Sequence, residues 1–360
     1  MKEVSVKLPL SGSRGYKISV GTGVIKRLGS IYDLERYSRI FIVTDDTVKP
    51  MFLDALSSSL PAKPASLTLP AGEKHKDIDT VGRIWTAMHE AGCDRKSLVI
   101  NLGGGVIGDI GGFAASTYMR GVDFLNIPTT LLAQVDASVG GKTGFNFDGI
   151  KNLVGTISQP VGIVIDTDTL ASLPERELTA GFAEIIKHGA ISDAAYFDKV
   201  VARRPTEYSP EALADIIAES CRIKAAVVHD DETEAGKRKL LNFGHTVGHA
   251  VEALSHQTDK PLLHGEAISI GMMAEADISA RLGRLPAEDL ERLRQALTDA
   301  GLPVSVRGLD PDDIREKMRS DKKNTGGRLN FTLLDGIGRA SYDQEVAEPT
   351  VKEALRTVLE

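Results

Sequence analysis

Short runs of β-branched and other apolar residues recur along the first half of the chain, with amphipathic segments between them. The runs lie in RIFIVTDDTV, SLTLPAGE, SLVINLGGG, VDFLNIPTT and VGIVIDTDTL, and each is ended by Gly, Pro, Thr or Asp. The segment from Ile78 to Ala91 has the apolar spacing of a helix. Strands that alternate with helices predict an α/β fold, in which a mainly parallel sheet carries helices on its faces.

The pattern changes after Leu173-Pro174, where helical periodicity replaces the strand signal. This periodicity runs through ELTAGFAEIIKHGAI, EALADIIAESCRIKAAVVH, NFGHTVGHAVEAL, HGEAISIGMMAEADISARLG and AEDLERLRQALTDAG. The last segment ends at Gly301-Leu302-Pro303, a sequence typical of a helix C-terminus, and RLNFTLLDG further on predicts a hairpin strand. We therefore expect an α/β domain over residues 1–174 and a mainly α-helical domain over residues 175–360.

Composition limits the classes of function. The 360 residues are 42% hydrophobic and 26% charged, as in ordinary globular proteins, and a chain of this length favours two domains. A net charge of -7 is not the charge balance typical of a nucleic-acid-binding protein, although it is compatible with a local basic cluster. Two distant cysteines indicate neither a disulfide framework nor a zinc knuckle, and no segment approaches the roughly 20 apolar residues of a membrane span. We expect a cytoplasmic protein with no nucleic-acid or membrane partner.

A glycine motif follows one of the predicted strands. In VINLGGGVIGDIGG, Gly103, Gly105 and Gly108 form a G-x-G-x-x-G pattern between a strand and a helix. Such glycines allow backbone N–H groups to approach a pyrophosphate, so we favour a Rossmann-like dinucleotide site over a simple strand–helix turn. The usual spacing places the ribose-binding acid near Asp123, whereas Asp45 ends an earlier strand at an equally suitable position.

A second glycine-rich stretch, IPTTLLAQVDASVGGKTGFNFDGIKNLVG, concentrates cations and amides. Lys142, Lys151 and Asn152 lie close in sequence to Gly140-Gly141 and Asp136. Lysines and amides around a glycine turn suit an anionic, phosphorylated ligand. A solvated loop with incidental lysines is the alternative, which we consider less favoured here.

Other charged residues interrupt apolar helical segments. Glu184 and Lys187 share a helix face, Lys224 lies in CRIKAAVV, and Arg238 stands four residues before Asn242. Buried charge is costly unless it is paired or bound to a ligand, so these residues predict a polar cleft.

Histidines supply a candidate metal site. His245 and His249 are spaced i, i+4 on one predicted helix face and could bind one ion together. A second possibility combines His245 with Glu184 and His264 in a 2-His-1-carboxylate set that leaves room for substrate oxygens, as at a catalytic Zn²⁺. Structural histidines are the commoner alternative, and spacing alone does not decide.

Taken together, the motifs resemble the 3-dehydroquinate synthase family of sugar phosphate cyclases. The motifs that carry the resemblance span most of the chain in the family's order: GGGVIGDIGGFAASTYMRGV, IPTTLLAQVDASVGGKTGFN, KNLVG, GFAEIIKHG, LLNFGHTVGHAVE, LHGEAISIGM and DKKNTGGRLNFTLL. The resemblance implies a dehydroquinate synthase-like fold, with an NAD-binding domain followed by a helical domain. It also implies a divalent metal, usually zinc and alternatively cobalt, and a homodimer.

The resemblance implies an activity as well. Family members convert 3-deoxy-D-arabino-heptulosonate 7-phosphate to 3-dehydroquinate and phosphate, a step of the shikimate pathway to aromatic amino acids. They oxidise and then re-reduce the substrate with one NAD. The same resemblance implies that Glu184, His245 and His264 are the metal ligands and that His249 faces the substrate phosphate.

The remaining site residues also follow from the resemblance. Those near the phosphate would be Lys142, Asn152, Asn242 and Lys322, the last preferred over Lys323, with Arg120 reaching it from a neighbouring subunit. Arg238 and Lys224 would lie near the substrate's carboxylate and hydroxyls, and Asp136 and Lys187 from the residue-level reasoning complete the catalytic set. The NAD set would be Asp45, Glu73, Lys76, Gly104, Gly105, Val106, Asp109, Thr129, Thr130, Lys142, Lys151, Thr169, Ser172 and Leu173. Thr169 departs from the family, where this position is usually larger.

Three alternatives stay open at this point. A sibling cyclase of the valiolone or deoxyinosose type would act on another sugar phosphate. A polyol dehydrogenase of the glycerol dehydrogenase type would release NADH and no phosphate. A non-catalytic dinucleotide-binding regulator would not need both metal and phosphate residues.

Overall fold

The computed structural model describes residues 1–8, 15–319 and 329–359. Its strands are β1 Lys2–Val6, β2 Tyr16–Gly21, β3 Ile40–Asp45, β4 Ala65–Leu69, β5 Leu98–Gly103, β6 Asp123–Pro128, β7 Lys142–Phe147, β8 Ile150–Ile157, β9 Gly162–Asp166, β10 Asn330–Gly336 and β11 Arg339–Glu345. Its α-helices are α1 Leu28–Ile31, α2 Lys49–Ser57, α3 Ile78–Glu90, α4 Gly105–Thr117, α5 Glu175–Ser192, α6 Ala194–Val201, α7 Pro210–Asp230, α8 His245–Ser255, α9 His264–Arg281, α10 Ala287–Asp299, α11 Pro311–Arg319 and α12 Glu348–Thr357.

The chain forms two compact units. The first comprises Met1–Leu173 together with Ser209–His229, and the second comprises Pro174–Tyr208 together with Asp230–Glu360. The predicted fold class is confirmed, because a Rossmann-like sheet fills the first unit and helices dominate the second.

A twisted sheet organises the first unit. Its strand order is β1-β2-β9-β6-β5-β3-β4, with β1 antiparallel to β2 and the other neighbours parallel. All six residues of β5 are buried, because helices cover both faces of a parallel sheet. The chain passes from β3 to β4 on one side and then returns to β5 on the other. In open α/β sheets, ligands bind at the carboxyl ends of the two strands where the order reverses, which here are β3 and β5.

Sequence features explain how the neighbouring helices start and pack. The Asp77 side chain caps α3 by accepting a hydrogen bond from the Thr80 N–H at 2.8 Å. Helix α4 lies close to the sheet because it carries glycines where side chains would collide: a Cβ on Gly111 would come within 2.0 Å of the Asn101 side chain. The fixed position of α4 matters because its first residue belongs to the glycine motif.

A β-hairpin follows the sheet strand β6. Strands β7 and β8 pair antiparallel, and Asp148 and Gly149 connect them with φ angles of 51° and 72°. Two consecutive positive φ values are the geometry of a type I′ turn, which an Asp-Gly pair adopts readily. Every residue of β8 except one is exposed.

The second unit is built mainly of helices, with the β10–β11 hairpin that the sequence predicted at RLNFTLLDG. Helices α8 and α9 approach closely through glycines. A Cβ on Gly271 would lie 2.0 Å from the carbonyl oxygen of Gly244, and one on Gly248 would lie 3.0 Å from that of Ala267. This contact fixes the two helices that begin at His245 and His264.

Among the described residues, no helix has both the length and the apolar character needed to cross a membrane.

Candidate active site

Three helices of the second unit bring a carboxylate and two imidazoles together. Glu184 lies inside α5 and is completely buried, while His245 and His264 are the first residues of α8 and α9. The Nε2 atoms of His245 and His264 lie 3.6 Å and 3.7 Å from Glu184 Oε1, and the three groups fall within 4.8 Å of one another. Ligands bound at about 2.0–2.2 Å to one tetrahedral ion would be separated by a little over 3 Å. The trio therefore has the donor types and the spacing of a metal site.

The second nitrogen of each imidazole is held by an oxygen acceptor. His245 Nδ1 lies 3.2 Å from the Phe243 carbonyl oxygen, and His264 Nδ1 lies 2.9 Å from Glu252 Oε2. A carbonyl or carboxylate oxygen accepts, so each Nδ1 carries a proton, and on loss of the other proton the Nε2 lone pair of each ring would face Glu184. Glu252 was not singled out from the sequence, although its position inside the apolar text HAVEAL was an available signal.

The electrostatics of this cluster favour positive charge. Burial by itself lowers the pKa of His264, but hydrogen bonds and charges from Glu184 and Glu252 outweigh it and raise the pKa from 6.5 to about 9. Lys187, also buried, forms an ion pair with the other oxygen of Glu184. A divalent cation would supply positive charge that the carboxylates of Glu184 and Glu252 stabilise. The residues of this cluster therefore fit a divalent metal ion.

His249 lies beside this trio. It stands one turn after His245 on α8, and its ring centroid is 5.1 Å from that of His245 and 5.9 Å from that of His264. Its side chain is only half-buried. The structure thus places His249 beside Glu184, His245 and His264, whose candidate ligand atoms lie within 4.8 Å of one another.

Arg238 and Asn242 belong to the 3₁₀ helix that precedes α8. The Arg238 guanidinium is buried and donates to the Glu232 carbonyl oxygen at 2.7 Å. Asn242 Nδ2 donates to Glu234 Oε1 at 3.0 Å. Glu234, which the sequence did not reveal, has a φ of 62°, and such backbone strain in a non-glycine residue is concentrated at functional sites.

A buried carboxylate on α9 anchors the start of α8. Glu275 is fully buried and accepts hydrogen bonds from the N–H groups of Gly244 at 2.7 Å and Val247 at 3.2 Å. These donors lie at the helix N-terminus, where backbone N–H groups lack partners within the helix. Glu275 therefore holds the turn that carries His245, a role that its sequence context did not reveal.

Residues of the first unit predicted to bind NAD lie along the carboxyl edge of the sheet. Asp45 ends β3, Gly104 and Gly105 follow β5, and the Thr129 N–H donates to the Gly103 carbonyl oxygen at 3.0 Å after β6. A Cβ on Gly104 would lie 3.1 Å from Thr130 Cγ2, so a side chain there would fill the turn. These residues fit a dinucleotide, with its pyrophosphate at the N-terminus of α4.

The two candidate ribose acids lie at opposite ends of the sheet. Burial raises the pKa of Asp45, whose Oδ1 accepts hydrogen bonds from the N–H groups of Thr47 and Val48 at 3.0 Å and 2.8 Å. Asp123 instead begins β6, at the amino edge, and accepts from the Tyr37 hydroxyl at 2.9 Å. The position after a strand favours Asp45 as the ribose ligand.

More of the predicted NAD residues meet beside the β7–β8 hairpin. The Lys76 ammonium and the Asp109 carboxylate form an ion pair at 2.5 Å. Burial raises the pKa of Asp109, against the opposing effect of Lys76. Asn146 links Glu73 Oε1, at 2.9 Å, to the backbone N–H of Asn152, also at 2.9 Å.

A π-helix at Ala133–Ala137 carries Asp136. Lys224 of α7 donates to the Asp136 carbonyl oxygen at 2.6 Å and also pairs with its carboxylate. π-Helical turns occur often at functional sites. On α7, burial raises the pKa of the Cys221 thiol to about 12, which favours the protonated thiol.

The other predicted residues occupy varied positions. The Thr169 hydroxyl donates to the Asp166 carbonyl oxygen at 2.7 Å and accepts from Gln134 at 3.1 Å, so it serves the packing after β9. Arg120 is exposed and has a φ of 70°. Lys322 and Lys323 lie outside the described residues. The other predicted NAD-binding residues lie at the ends of elements or on the hairpin: Val106 at the start of α4, Lys142 on β7, Lys151 on β8, and Ser172 and Leu173 at the turn after β9.

Comparisons with known sequences agree with the motifs. Residues 66–180 match the family model of the 3-dehydroquinate synthase N-terminal region, and residues 181–324 match that of the C-terminal region. A 3-dehydroquinate synthase from Nitrosospira multiformis is 43% identical, with 99% of this chain and 98% of the relative covered. One from Halorhodospira halophila is 45% identical, with 96% and 97% covered.

Solved structures share the architecture. A 2-deoxy-scyllo-inosose synthase complexed with carbaglucose-6-phosphate, NAD⁺ and Co²⁺ aligns with a TM-score of 0.89 at 26% identity, covering 99% of this chain and 100% of its own. A 2-epi-5-epi-valiolone synthase from Streptomyces hygroscopicus with NAD⁺ and Zn²⁺ bound gives 0.87 at 28%, covering 98% and 99%. A probable glycerol dehydrogenase from Sinorhizobium meliloti, at 0.66 and 14% with 95% and 96% covered, shares the fold alone.

Proposed function

The chain belongs to the 3-dehydroquinate synthase family, and from this premise we propose how its residues divide the work of the family's reaction. That reaction converts 3-deoxy-D-arabino-heptulosonate 7-phosphate to 3-dehydroquinate and inorganic phosphate. The observation that carries the proposal is the trio of Glu184, His245 and His264, whose donor atoms converge from three helices. A regulator that only sensed a dinucleotide would not need such a cluster.

The two cofactors have separate sets of residues. When bound, NAD⁺ accepts a hydride from the substrate and later returns it, and a divalent cation polarises substrate oxygens. Glu184, His245 and His264 would hold the cation, while Lys187 forms an ion pair with the second carboxylate oxygen of Glu184. NAD would lie across the carboxyl edge of the sheet, with Asp45 at the ribose and Gly104 and Gly105 at the pyrophosphate.

The remaining members of the predicted NAD set would surround the rest of the dinucleotide. The ion pair of Lys76 with Asp109 and the contact of Glu73 with Asn146 support a preorganised surface there. That set also includes Val106, Thr129, Thr130, Lys142, Lys151, Thr169, Ser172 and Leu173.

A group of cations and amides would bind the substrate phosphate. His249, Lys142 and Lys322 would balance the negative charge on the phosphate as it departs by β-elimination. Asn152 and Asn242 would donate further hydrogen bonds to its oxygens. His249 is half-buried and lies beside the trio, and this position supports a role at the phosphate instead of the metal.

Orientation would come from a second group. Arg238 and Lys224 would bind the substrate's carboxylate and hydroxyls, so that the ring-opened intermediate is held for its intramolecular aldol closure. Their own partners are oxygens of Glu232 and Asp136, and these contacts support fixed side-chain positions.

We further propose a cytoplasmic homodimer that uses zinc. Two imidazoles and a carboxylate suit Zn²⁺, and Co²⁺ is the alternative that such a donor set also accepts. Apolar side chains on the β7–β8 hairpin are unusually exposed, including Phe147, Ile150, Leu153 and Ile157, each above 40%. A second copy of the chain would cover them, and Arg120 would then reach the phosphate bound by the partner.

Product analysis tests the proposal. The purified protein, stripped of bound nucleotide, would be incubated with the heptulosonate phosphate with and without added NAD⁺. We expect phosphate and 3-dehydroquinate in equal amounts, only with NAD⁺, and no net NADH. Net NADH without phosphate would identify a polyol dehydrogenase, and no turnover of this substrate would favour a sibling cyclase. Activity that persisted after chelation, with the metal shown to be absent, would contradict the metal assignment.

A further inference from the structure

Helix α8 contributes a carboxylate to the first residue of α9. Glu252 Oε2 lies 2.9 Å from His264 Nδ1, and the Glu252 side chain is about 10% exposed. We propose that Glu252 is a positioning residue for metal binding: it fixes the ring orientation and tautomer of His264 so that Nε2 faces the cation. This inference rests on the proposed metal site, and it adds to that site a residue that is no ligand.

The need for such a residue follows from the position of His264. As the first residue of α9, its side chain is 27% exposed, whereas the Glu184 side chain is completely buried and that of His245 is 11% exposed. An imidazole at a helix start can rotate or exchange its tautomer unless the second nitrogen is held. His245 is held by a carbonyl oxygen of its own chain segment, but His264 depends on a side chain from another helix.

The loop between α8 and α9 helps to hold Glu252 close to His264. The Ser255 hydroxyl is buried, donates to the Glu252 carbonyl oxygen at 2.7 Å and accepts from the Leu262 N–H at 3.1 Å. The loop is therefore fastened to the last turn of α8, close to both partners. The end of the loop that precedes His264 is thus hydrogen-bonded to the helix that carries Glu252.

Charge adds to orientation. A carboxylate hydrogen-bonded to a coordinating imidazole increases the basicity of the ring, and loss of such partners costs 10–100-fold in metal affinity in characterised sites. The same carboxylate could instead serve only to join α8 to α9. The two roles predict different results for metal binding, which makes them separable.

The start of α9 offers a matched control. Glu266 Oε2 accepts from the Leu263 N–H at 2.8 Å, and the Glu266 carboxylate also binds Arg176 at 2.7 Å. Glu266→Ala removes a mostly buried carboxylate and a helix cap two residues after His264, without removing the contact to the His264 ring. Any loosening of the helix start is therefore reproduced by this variant.

The experiment measures Zn²⁺ affinity of the full-length protein by competition with a chromogenic chelator, and the absorption spectrum of the Co²⁺-loaded form. We expect Glu252→Ala to weaken Zn²⁺ binding by about 10–100-fold and Glu252→Gln by roughly tenfold, because the amide oxygen still accepts from Nδ1–H but lacks the charge. The Co²⁺ bands should shift in both. Glu266→Ala should retain the affinity and spectrum of the unaltered protein, although it melts at a lower temperature.

Several results would overturn the inference. Unchanged affinity in Glu252→Ala, or an equal loss in Glu266→Ala, would reduce Glu252 to a structural link. If Glu252→Ala does not fold, Glu252→Gln decides, and unchanged affinity and spectrum there count against the inference. Failure of the metal site itself would be seen differently, since the unaltered protein would then bind no ion at Glu184, His245 and His264.

Discussion

His245 and His249 lie one helical turn apart on α8, yet their rings have different surroundings. The Nε2 atom of His245 approaches Glu184 and its Nδ1 approaches a backbone carbonyl oxygen, which together define a ligand's orientation. His249 remains half-buried at the edge of the cluster. The i, i+4 spacing by itself allowed a shared ion, whereas the Glu184 carboxylate from α5 lies beside His245 and supports an asymmetric division of roles.

Single substitutions test this division. We expect His245→Ala to lose the bound metal, because it removes one of three ligands. His249→Ala should keep close to one metal per chain while turnover falls by on the order of 100-fold, because a group that stabilises the leaving phosphate is missing. Metal analysis of the purified variants, beside steady-state rates, provides the measurement. Loss of metal from both variants would restore the two-histidine site.

The sequence suggested the candidate metal ligands but not the carboxylates that contact them or their helices. Motif text and apolar context pointed to Glu184, His245 and His264, because charge inside apolar helical text is costly and draws attention. Glu252 and Glu275 also lie in apolar helical segments, which could indicate burial but not the groups that they contact. Their roles depend on which helix lies opposite, and periodicity within one helix contains no such information.

At the level of elements, the contact between α8 and α9 sets the distance between two proposed ligands. Gly248 of α8 faces α9 so closely that a Cβ would lie 2.8 Å from Ile268 Cδ1 and 3.0 Å from the Ala267 carbonyl oxygen. Glu275 joins the same two helices through backbone N–H groups. The same two helices therefore determine both the distance between α8 and α9 and the position at which α8 begins.

Two glycine substitutions separate packing from helix propensity. Gly248→Ala should lower the free energy of unfolding by about 1–3 kcal/mol through overpacking, and it should weaken metal binding by moving α8 from α9. Gly82→Ala is the control, since this helical glycine of α3 has nothing within 4 Å of the added Cβ. There we expect a gain of about 0.5–1 kcal/mol and unchanged metal affinity. Urea unfolding and chelator competition measure both, and equal behaviour of the variants would refute the packing argument.

Elements were easier to predict from the sequence than their arrangement. The five sheet strands and the later helices were confirmed, because β-branched runs and helical spacing are local signals. The strand order was not predictable, since the side-chain pattern of β4 does not say that it lies at the sheet edge beside β3. The division into domains at residue 174 stays a prediction.

At the scale of the whole molecule, the β7–β8 hairpin and Arg120 point to assembly. Leu153 is 42% exposed and Ile157 is 46% exposed on β8, a strand with little of its surface covered within its own chain. Met119 and Arg120 both have positive φ angles, 50° and 70°, on an exposed turn between α4 and β6. Strain in an exposed turn is explained if the turn presents Arg120 to a site on a second copy.

Hybrid dimers provide the test of that arrangement. Arg120→Ala and His245→Ala should each be nearly inactive alone, because the first lacks the arginine for its partner's phosphate site and the second lacks a metal ligand. If Arg120 acts across a dimer, unfolding and refolding the two variants together gives mixed dimers that contain one complete site. Random pairing then recovers about a quarter of the sites of the unaltered protein. Sedimentation would verify that the refolded species is a dimer, and separately refolded variants mixed afterwards provide the control. A dimeric mixture with no recovered activity would show that Arg120 serves the site of its own chain.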